Sequence, residues 1–267
     1  METVDSLPRD IAMILKQAEN VDRSACSFEE VKCRLYNARR GGLRYYDCPI
    51  CKNKGFVMRP VDGGTVMHEC ECMRERRIRK HIEACGCAGL LETHTLDRFE
   101  AKEPWQAELR RAAEDYIAHG DGEWFFAGGQ IGCGKTHICT AILGALLAAG
   151  EEAQVMFWRA DSARLKANIN EPGYGEEMER LKTVPVLYID DFFKARSGDK
   201  PSGGDINLAF ELLDARYVRS RRTIISSEKT MAQLLDIDPA IGSRIYERAK
   251  RYALNITPDD RKNWRLR

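Results

Sequence analysis

The most constraining feature of this sequence is the segment GGQIGCGKTH, residues 128 to 137. Part of it fits the pattern G-x-x-x-x-G-K-[ST] of a phosphate-binding loop, in which glycines let backbone N–H groups turn toward a phosphate. Apolar residues precede the loop and a helical pattern follows it, so we expect a strand, the loop and a helix. The residues of the pattern are Gly129, Gln130, Ile131, Gly132, Cys133, Gly134, Lys135 and Thr136.

This loop predicts binding of ATP or ADP with Mg²⁺. Lys135 is expected to reach the β- and γ-phosphates, and Thr136 to hold the Mg²⁺. A second magnesium ligand is expected at the end of a neighbouring strand, and VLYIDDFF supplies it as Asp190. Asp191 follows as a base or as the group that orients the attacking water. The alternative is that two aspartates merely end a strand.

The rest of the chain after residue 92 alternates between helical and strand patterns. Such alternation predicts an α/β fold, with a mostly parallel sheet and helices on both faces. A further strand, TIISSE, ends in polar residues and brings Glu228 near the predicted γ-phosphate. We therefore predict a nucleotide-binding domain at residues 93–267, after an N-terminal domain at residues 1–92.

The N-terminal domain is predicted to contain two helices and a cysteine module. One helix follows Pro8, and the other begins at Phe28 after a capping box of Ser27 and Glu30. The module has a hairpin signal around Asp62 and the two glycines after it.

Four cysteines of this module, Cys48, Cys51, Cys70 and Cys72, follow the spacing C-x₂-C-x₁₈-C-x-C. Two close pairs joined through a hairpin are typical of a structural Zn²⁺ site, because four thiolates fill its coordination sphere. His68 is an alternative ligand. The sequence has 10 cysteines and shows neither an export signal nor a membrane span, so we expect a cytoplasmic protein with reduced thiols.

The module is too small to fold unaided, so we interpret it as a zinc-folded docking surface. Tyr45, Tyr46 and Phe56 lie beside it in sequence, and the basic stretch Arg74–Lys80 follows it. This surface would bind either single-stranded DNA, by stacking and charge, or a protein partner. The segment Ile241–Arg267 is also basic, with eight Lys or Arg against three Asp or Glu. The alternative for both basic stretches is a solvated helix face.

Several motifs together resemble a known family. The phosphate loop, YIDDFF, LLDARYV, TIISSE and AIGSRIYERA occur in the order and spacing of the AAA+ ATPases that load replicative helicases in bacteria and phages. These are the DnaC and DnaI loaders, with the IstB transposition helpers as relatives. The resemblance covers residues 93–267, and cysteine pairs like those described above precede the ATPase domain in many such loaders.

The resemblance implies roles for further residues. Arg244, in IGSRIYER, matches the arginine finger that one subunit directs to its neighbour's γ-phosphate, and Arg265, in NWRLR, matches a sensor arginine. The alternative for Arg244 is a salt bridge on the surface of a helix. Asp191 stands where the family more often has glutamate, and Glu228 stands where asparagine is usual. An anion at residue 228 should repel the γ-phosphate unless Lys229 or an arginine compensates.

The function implied is a slow ATPase that loads a helicase. Such a protein would bind a DnaB-type replicative helicase and single-stranded DNA, form a homo-oligomer when ATP-bound, and use hydrolysis as its switch. The alternatives are an IstB-like transposition helper and a zinc-dependent adaptor that never hydrolyses its nucleotide.

Overall fold

The computed structural model describes residues 27–44, 47–194 and 200–266. The predicted helix after Pro8, together with Tyr45 and Tyr46, lies outside the described residues. The chain separates into two compact units, Met1–Arg77 and Ile78–Arg267, which are described one at a time. Helices and strands of the described residues are numbered in chain order.

The first unit contains helix α1 (Phe28–Ala38), a hairpin of strands β1 (Phe56–Val61) and β2 (Gly64–Glu69), and the start of helix α2 (Cys72–Ala84). Ser27 and Glu30 cap α1 reciprocally, which confirms the predicted capping box. The two strands are antiparallel, with Val61 opposite Gly64, so the predicted hairpin is also confirmed.

The second unit contains eight helices and five strands among its described residues, with two short 3₁₀ turns near its end. In chain order these are α3 (Ala88–Thr93), α4 (Pro104–His119), β3 (Trp124–Gly129), α5 (Lys135–Ala149), β4 (Ala153–Phe157), α6 (Trp158–Ala167), α7 (Tyr174–Thr183), β5 (Val186–Asp190), α8 (Gly203–Val218), β6 (Arg222–Ser227), α9 (Met231–Ile237), α10 (Pro239–Ala249), β7 (Ala253–Ile256) and the turns Asp260–Lys262 and Trp264–Leu266.

The five strands form one parallel sheet in the order β4-β5-β6-β3-β7. Successive side chains of a strand point to opposite faces, and each face has its own apolar core. Phe125 packs in one core with α4 and α5, whereas Phe126 packs in the other with α8 and α10. The predicted α/β fold, with helices on both faces of a parallel sheet, is confirmed.

The strand order determines which loops lie together at the carboxyl edge of the sheet. β3 lies between β6 and β7, and β5 lies next to β6. All five strands run the same way, so the carboxyl ends of β3, β5 and β6 meet at one edge of the sheet. The phosphate loop and both acidic segments follow these strands.

The boundary between the two units lies earlier in the chain than the sequence predicts. The structure divides between Arg77 and Ile78, whereas the sequence predicts a boundary near residue 92. Cys85 and Cys87 are buried in the core of the second unit, and the Cys85 carbonyl accepts a hydrogen bond from the Val155 N–H of β4. Helix α3 packs on α5. The small residues around Cys85 and Cys87 let this segment pack closely within the second unit.

None of the helices in the described part of the chain has both the length and the apolar composition needed to cross a bilayer.

Candidate phosphate-binding site and metal centre

The phosphate loop begins at the end of β3, the second strand from one edge of the sheet. All residues of this strand are buried, so the packed sheet holds the start of the loop in place. Gly129 has φ of +101°, and a Cβ there would lie 2.1 Å from the Ile256 carbonyl oxygen of β7. Gly134, with φ of +96°, is the N-cap of α5. Since L-residues rarely adopt such angles, these two glycines are required by the backbone and not only by the motif.

Lys135 lies at the centre of the loop. Its side chain is buried, and its Nζ donates hydrogen bonds to the carbonyl oxygens of Gly129, at 3.0 Å, and Gln130, at 2.6 Å. An ammonium group held against the loop in this way lies beside the N-terminus of α5, where an anion is favoured by the helix dipole and the loop N–H groups. The loop is therefore built for a phosphate.

Asp190 joins three elements at the carboxyl edge of the sheet. Its Oδ1 accepts hydrogen bonds from Thr136 Oγ1 at 3.1 Å, from Ser226 Oγ at 2.6 Å and from the Tyr188 hydroxyl. The carboxylate is buried, with 8% of the residue exposed. Burial and the nearby thiol and carboxylate raise the pKa of Tyr188 well above its usual value, so its hydroxyl stays a donor. The structure thus brings together the two residues predicted to hold Mg²⁺.

Asp191 and Glu228 are joined by a lysine that was not predicted from the sequence. Lys194 Nζ lies 2.8 Å from Asp191 Oδ2 and 2.9 Å from Glu228 Oε1. Burial lowers the pKa of Lys194, but its bonds to the two carboxylates raise it more, so the net pKa lies above the usual value. We expected Lys229 or an arginine to compensate Glu228; the residue that does so is Lys194.

A cavity of about 390 Å³ opens over the loop, a size typical of small-molecule sites. One side is polar and contains the loop residues from Ile131 to Thr136 with Asp191, Lys194 and Glu228. The other side is aromatic: Phe99 packs edge-on against His137, with ring centroids 5.4 Å apart. The His94 ring contacts the same imidazole at an angle of 57°, with ring centroids 4.8 Å apart. A ligand with both a phosphate and a planar ring matches this lining.

The C-terminal segment packs directly on the phosphate loop. The Trp264 N–H donates to the Gly132 carbonyl oxygen at 3.0 Å, and the Asp259 N–H donates to Gln130 Oε1 at 2.9 Å. Arg265 follows Trp264 and lines the cavity, which agrees with its predicted place near the nucleotide. Its role as a sensor stays a prediction.

Arg244 lies outside this cavity, on α10. It forms an ion pair with Asp214 of α8 at 2.8 Å, donates from Nη1 to the Ala240 carbonyl oxygen and lies over the Phe210 ring. The surface salt bridge that was the alternative for Arg244 is therefore present. An arginine finger acts on the nucleotide of a neighbouring subunit, which a contact within one chain does not test. The finger role of Arg244 therefore stays a prediction.

The four cysteines of the first unit form one compact group. All four are buried, and their sulfur atoms lie within 4.8 Å of one another. Cys48 Sγ is 3.8 Å from Cys70 Sγ, and Cys51 Sγ is 3.5 Å from Cys72 Sγ. A tetrahedron with Zn–S bonds of about 2.3 Å has S–S edges of about 3.8 Å. The donors fit Zn²⁺ in both chemistry and spacing.

Backbone and side-chain contacts support this cysteine group. The Gly55 N–H donates to Cys51 Sγ at 3.3 Å, the type of bond that stabilises a metal-bound thiolate. Asn53 Oδ1 accepts from the Cys48 N–H and from Arg76 Nη2, both at 2.9 Å. His68 is not part of the group.

Sequence reasoning missed Lys194, Phe99 and Trp264, each of which lines the cavity. Phe99 and Trp264 reach the loop from distant segments, so no local pattern marks them. Lys194 had a weak signal, because it is the first cation after the two acidic residues of VLYIDDFFK.

Comparison with known proteins finds relatives of similar length. The chain is 29% identical over 229 residues to "Phage-like element PBSX protein XkdC" of Bacillus subtilis (strain 168), covering 79% of this chain and 82% of that protein. No protein-family model matches the chain.

Solved structures share the fold of the second unit. A DnaC helicase loader superimposes with a TM-score of 0.54 at 18% identity, covering 63% of this chain and 98% of that one. DnaI gives 0.54 at 21% identity, covering 65% and 95%. A DnaA replication initiator bound to AMPPCP and single-stranded DNA gives 0.51 at 18% identity, covering 64% and 51%. The chain therefore shares its fold with the DnaC and DnaI loaders and with DnaA over about two thirds of its length.

Proposed function

We propose that this chain is an ATP-dependent helicase loader of the DnaC and DnaI type. The observation that carries the proposal is the AAA+ unit itself, which matches nearly the whole of the DnaC chain in fold and has an intact phosphate loop. The cysteine-rich first unit is additional to that match. This division favours one unit that binds nucleotide and another that holds a partner.

The nucleotide would bind with its phosphates on the loop and its base on the aromatic side of the cavity. Lys135 would hold the β- and γ-phosphates, while Thr136 and Asp190 would hold Mg²⁺ directly or through water. The Thr136–Asp190 hydrogen bond supports this, because it aligns the two oxygens on one side of the loop. The Mg²⁺ would neutralise phosphate charge during hydrolysis.

Hydrolysis would use Asp191 to orient water and Arg244 of a neighbouring subunit to stabilise the transition state. Asp191 is one methylene shorter than glutamate, and Lys194 holds its carboxylate. Both features support slow turnover, in which ATP acts mainly as an assembly signal.

The first unit would be folded by one Zn²⁺ on Cys48, Cys51, Cys70 and Cys72, which would act as a structural cross-link. Exposed apolar side chains on the cysteine segment and on both faces of the hairpin are available to a protein partner: Ile50, Phe56, Val61, Val66 and Met67. The hairpin is accessible to a partner, because most residues of both strands are exposed. We assign this surface to the replicative helicase.

Single-stranded DNA is the second partner in the proposal. The AAA+ fold is shared with a DnaA initiator whose structure contains single-stranded DNA. The basic residues of α2 and of the segment Ile241–Arg267 would supply charge for the phosphates. Binding that weakens steeply with salt would support such contacts.

Three measurements test the proposal. Zinc-loaded protein should co-purify with a DnaB-type helicase, release phosphate when ATP and single-stranded DNA are added, and fail to load the helicase as Lys135→Ala. Helicase binding without any phosphate release would favour the non-hydrolysing adaptor. Assembly driven by double-stranded DNA, without helicase binding, would favour the IstB-like helper.

A further inference from the structure

Lys194 is a second lysine in the nucleotide cavity, besides the one in the phosphate loop. The cavity lining contains Lys194 together with Lys135, Asp191 and Glu228. The Lys194 side chain is 28% exposed, and the carboxylates that it contacts are 34% and 26% exposed. Its charge therefore faces the cavity while it stays accessible to a ligand.

The position of Lys194 is set by a tight turn and not by chance contact. Asp191 and Phe193 have φ of +55° and +56°, and the Lys194 N–H donates to the Asp191 carbonyl oxygen at 2.9 Å. Phe192 and Phe193 are buried and stack on each other at 4.1 Å. Trp158 packs edge-on against both rings. This aromatic anchor directs the lysine toward the carboxyl ends of β5 and β6.

The charges around this lysine decide what can bind there. Asp191 and Glu228 add two carboxylates to the cavity that also contains Lys135, the residue expected to contact the outermost phosphate. Like charges repel strongly in a partly buried site, so a γ-phosphate needs a compensating cation. Lys194 is within hydrogen-bond distance of both carboxylates, which makes it the group placed to compensate them.

We propose that Lys194 is a second phosphate-binding lysine, which contacts the γ-phosphate and gives the site its preference for a nucleoside triphosphate over a diphosphate. Glu228 then acts with Lys194 as a pair: the carboxylate holds the ammonium group in place at the end of β6. The inference rests on the proposed function only in requiring that the loop binds nucleotide.

The pair also accounts for the glutamate at residue 228. A glutamate alone would repel the γ-phosphate, whereas a glutamate that orients a lysine adds a charge-assisted donor to the site. The loss of Lys194 should therefore do more than remove one contact, because it leaves both carboxylates uncompensated. The affinity for ADP should be nearly unaffected, since ADP has no γ-phosphate.

The test compares the dissociation constants of AMPPCP and ADP, both with Mg²⁺, in four proteins of full length. Lys194→Met should weaken AMPPCP binding about tenfold and change ADP binding less than about twofold. Lys194→Arg keeps the charge and should stay close to wild type. Lys229→Met is the matched control, because Lys229 follows Glu228 directly but does not line the cavity.

A double substitution tests whether the uncompensated carboxylates cause the loss of AMPPCP affinity. Glu228→Asn added to Lys194→Met removes one of the two repelling carboxylates and should recover part of the AMPPCP affinity. If Lys194 only stabilises the fold, Lys194→Met will lower the melting temperature but leave the ratio of the two dissociation constants unchanged. That unchanged ratio would overturn the inference and leave nucleotide binding intact. Failure of the wild-type protein to bind either nucleotide would instead overturn the proposed function.

Discussion

Thr136 Oγ1 donates a hydrogen bond to Asp190 Oδ1 across 3.1 Å, which joins the first turn of α5 to the end of β5. The same oxygen of Asp190 accepts from Ser226 of β6. Three separate elements therefore fix one carboxylate beside the phosphate loop. The prediction that Thr136 and Asp190 hold Mg²⁺ can therefore be tested directly by substitution.

Thr136→Val should abolish the contribution of Mg²⁺ to ATP binding. Valine has the same shape but no oxygen, so both the metal ligand and the bond to Asp190 are lost. We expect the affinity for Mg²⁺–ATP to fall at least about tenfold, while Thr136→Ser stays near wild type. Titration of ATP with and without Mg²⁺ measures this. Serine keeps the hydroxyl. If Thr136→Ser lost as much Mg²⁺–ATP affinity as Thr136→Val, the assignment of this hydroxyl as a metal ligand would be contradicted.

Gly132→Ala should impair nucleotide binding more than a comparable glycine substitution elsewhere. Gly132 has φ of +71°, and its Cβ would lie 2.0 Å from Asn263 Oδ1. That oxygen accepts a bond from the Arg265 N–H, so the Asn263 side chain must move and this bond to the C-terminal segment is lost. We expect ATP affinity to fall about tenfold, because the loop is strained and the contact that joins it to the C-terminal segment is lost.

Gly150→Ala is the matched control for Gly132→Ala. Gly150 has φ of +98° at the other end of α5, and a Cβ there meets nothing within 4 Å. Both substitutions cost about 1–2 kcal/mol of backbone strain. Only Gly132→Ala should change ATP affinity, and an equal effect of the two would contradict the role of the contact with Asn263.

Metal analysis should find about one zinc per chain, and Cys48→Ser should lose it. The proposal makes the fold of the first unit depend on the metal, so chelation should unfold this unit while ATP binding by the second unit persists. Circular dichroism and nucleotide titration, before and after chelation, measure the two effects. Cys33→Ser is the control, because Cys33 is buried in α1 but is not in the cysteine group. Zinc retained in Cys48→Ser would contradict the assignment.

Arg244→Ala should reduce ATP hydrolysis at least about tenfold without reducing ATP affinity, since a finger stabilises the transition state of a neighbour. Mixing Arg244→Ala with Lys135→Ala should restore part of the activity, because some interfaces then combine an intact loop with an intact finger. Arg248→Ala is the control: Arg248 is also on α10 and lies over the Tyr217 ring. No recovery on mixing would favour a structural role for the Arg244–Asp214 ion pair.

The sequence predicted the parts of the fold and site that depend on neighbouring residues. The phosphate loop, the capping box before α1 and the hairpin turn are all encoded by short patterns, and the spacing of the cysteines predicts their grouping. The alternation of helical and strand patterns after residue 92 predicted the correct fold class.

The parts that sequence reasoning missed depend on contacts between distant segments. β7 has four residues, too few for a periodic signal, yet its Ile256 carbonyl packs against Gly129. Lys194 meets Glu228 because β5 and β6 are adjacent and because a turn with positive φ follows β5. Trp264 contacts Gly132 through the path of the C-terminal segment. None of these contacts can be deduced before the strand order is known.

The measurement that tests the account most directly is co-purification of the zinc-loaded, full-length chain with a DnaB-type replicative helicase, with and without ATP. We predict a complex between the two proteins in which Lys135→Ala still binds the helicase but no longer loads it onto single-stranded DNA. A folded, zinc-containing protein that binds nucleotide but forms no complex with the helicase would contradict the account.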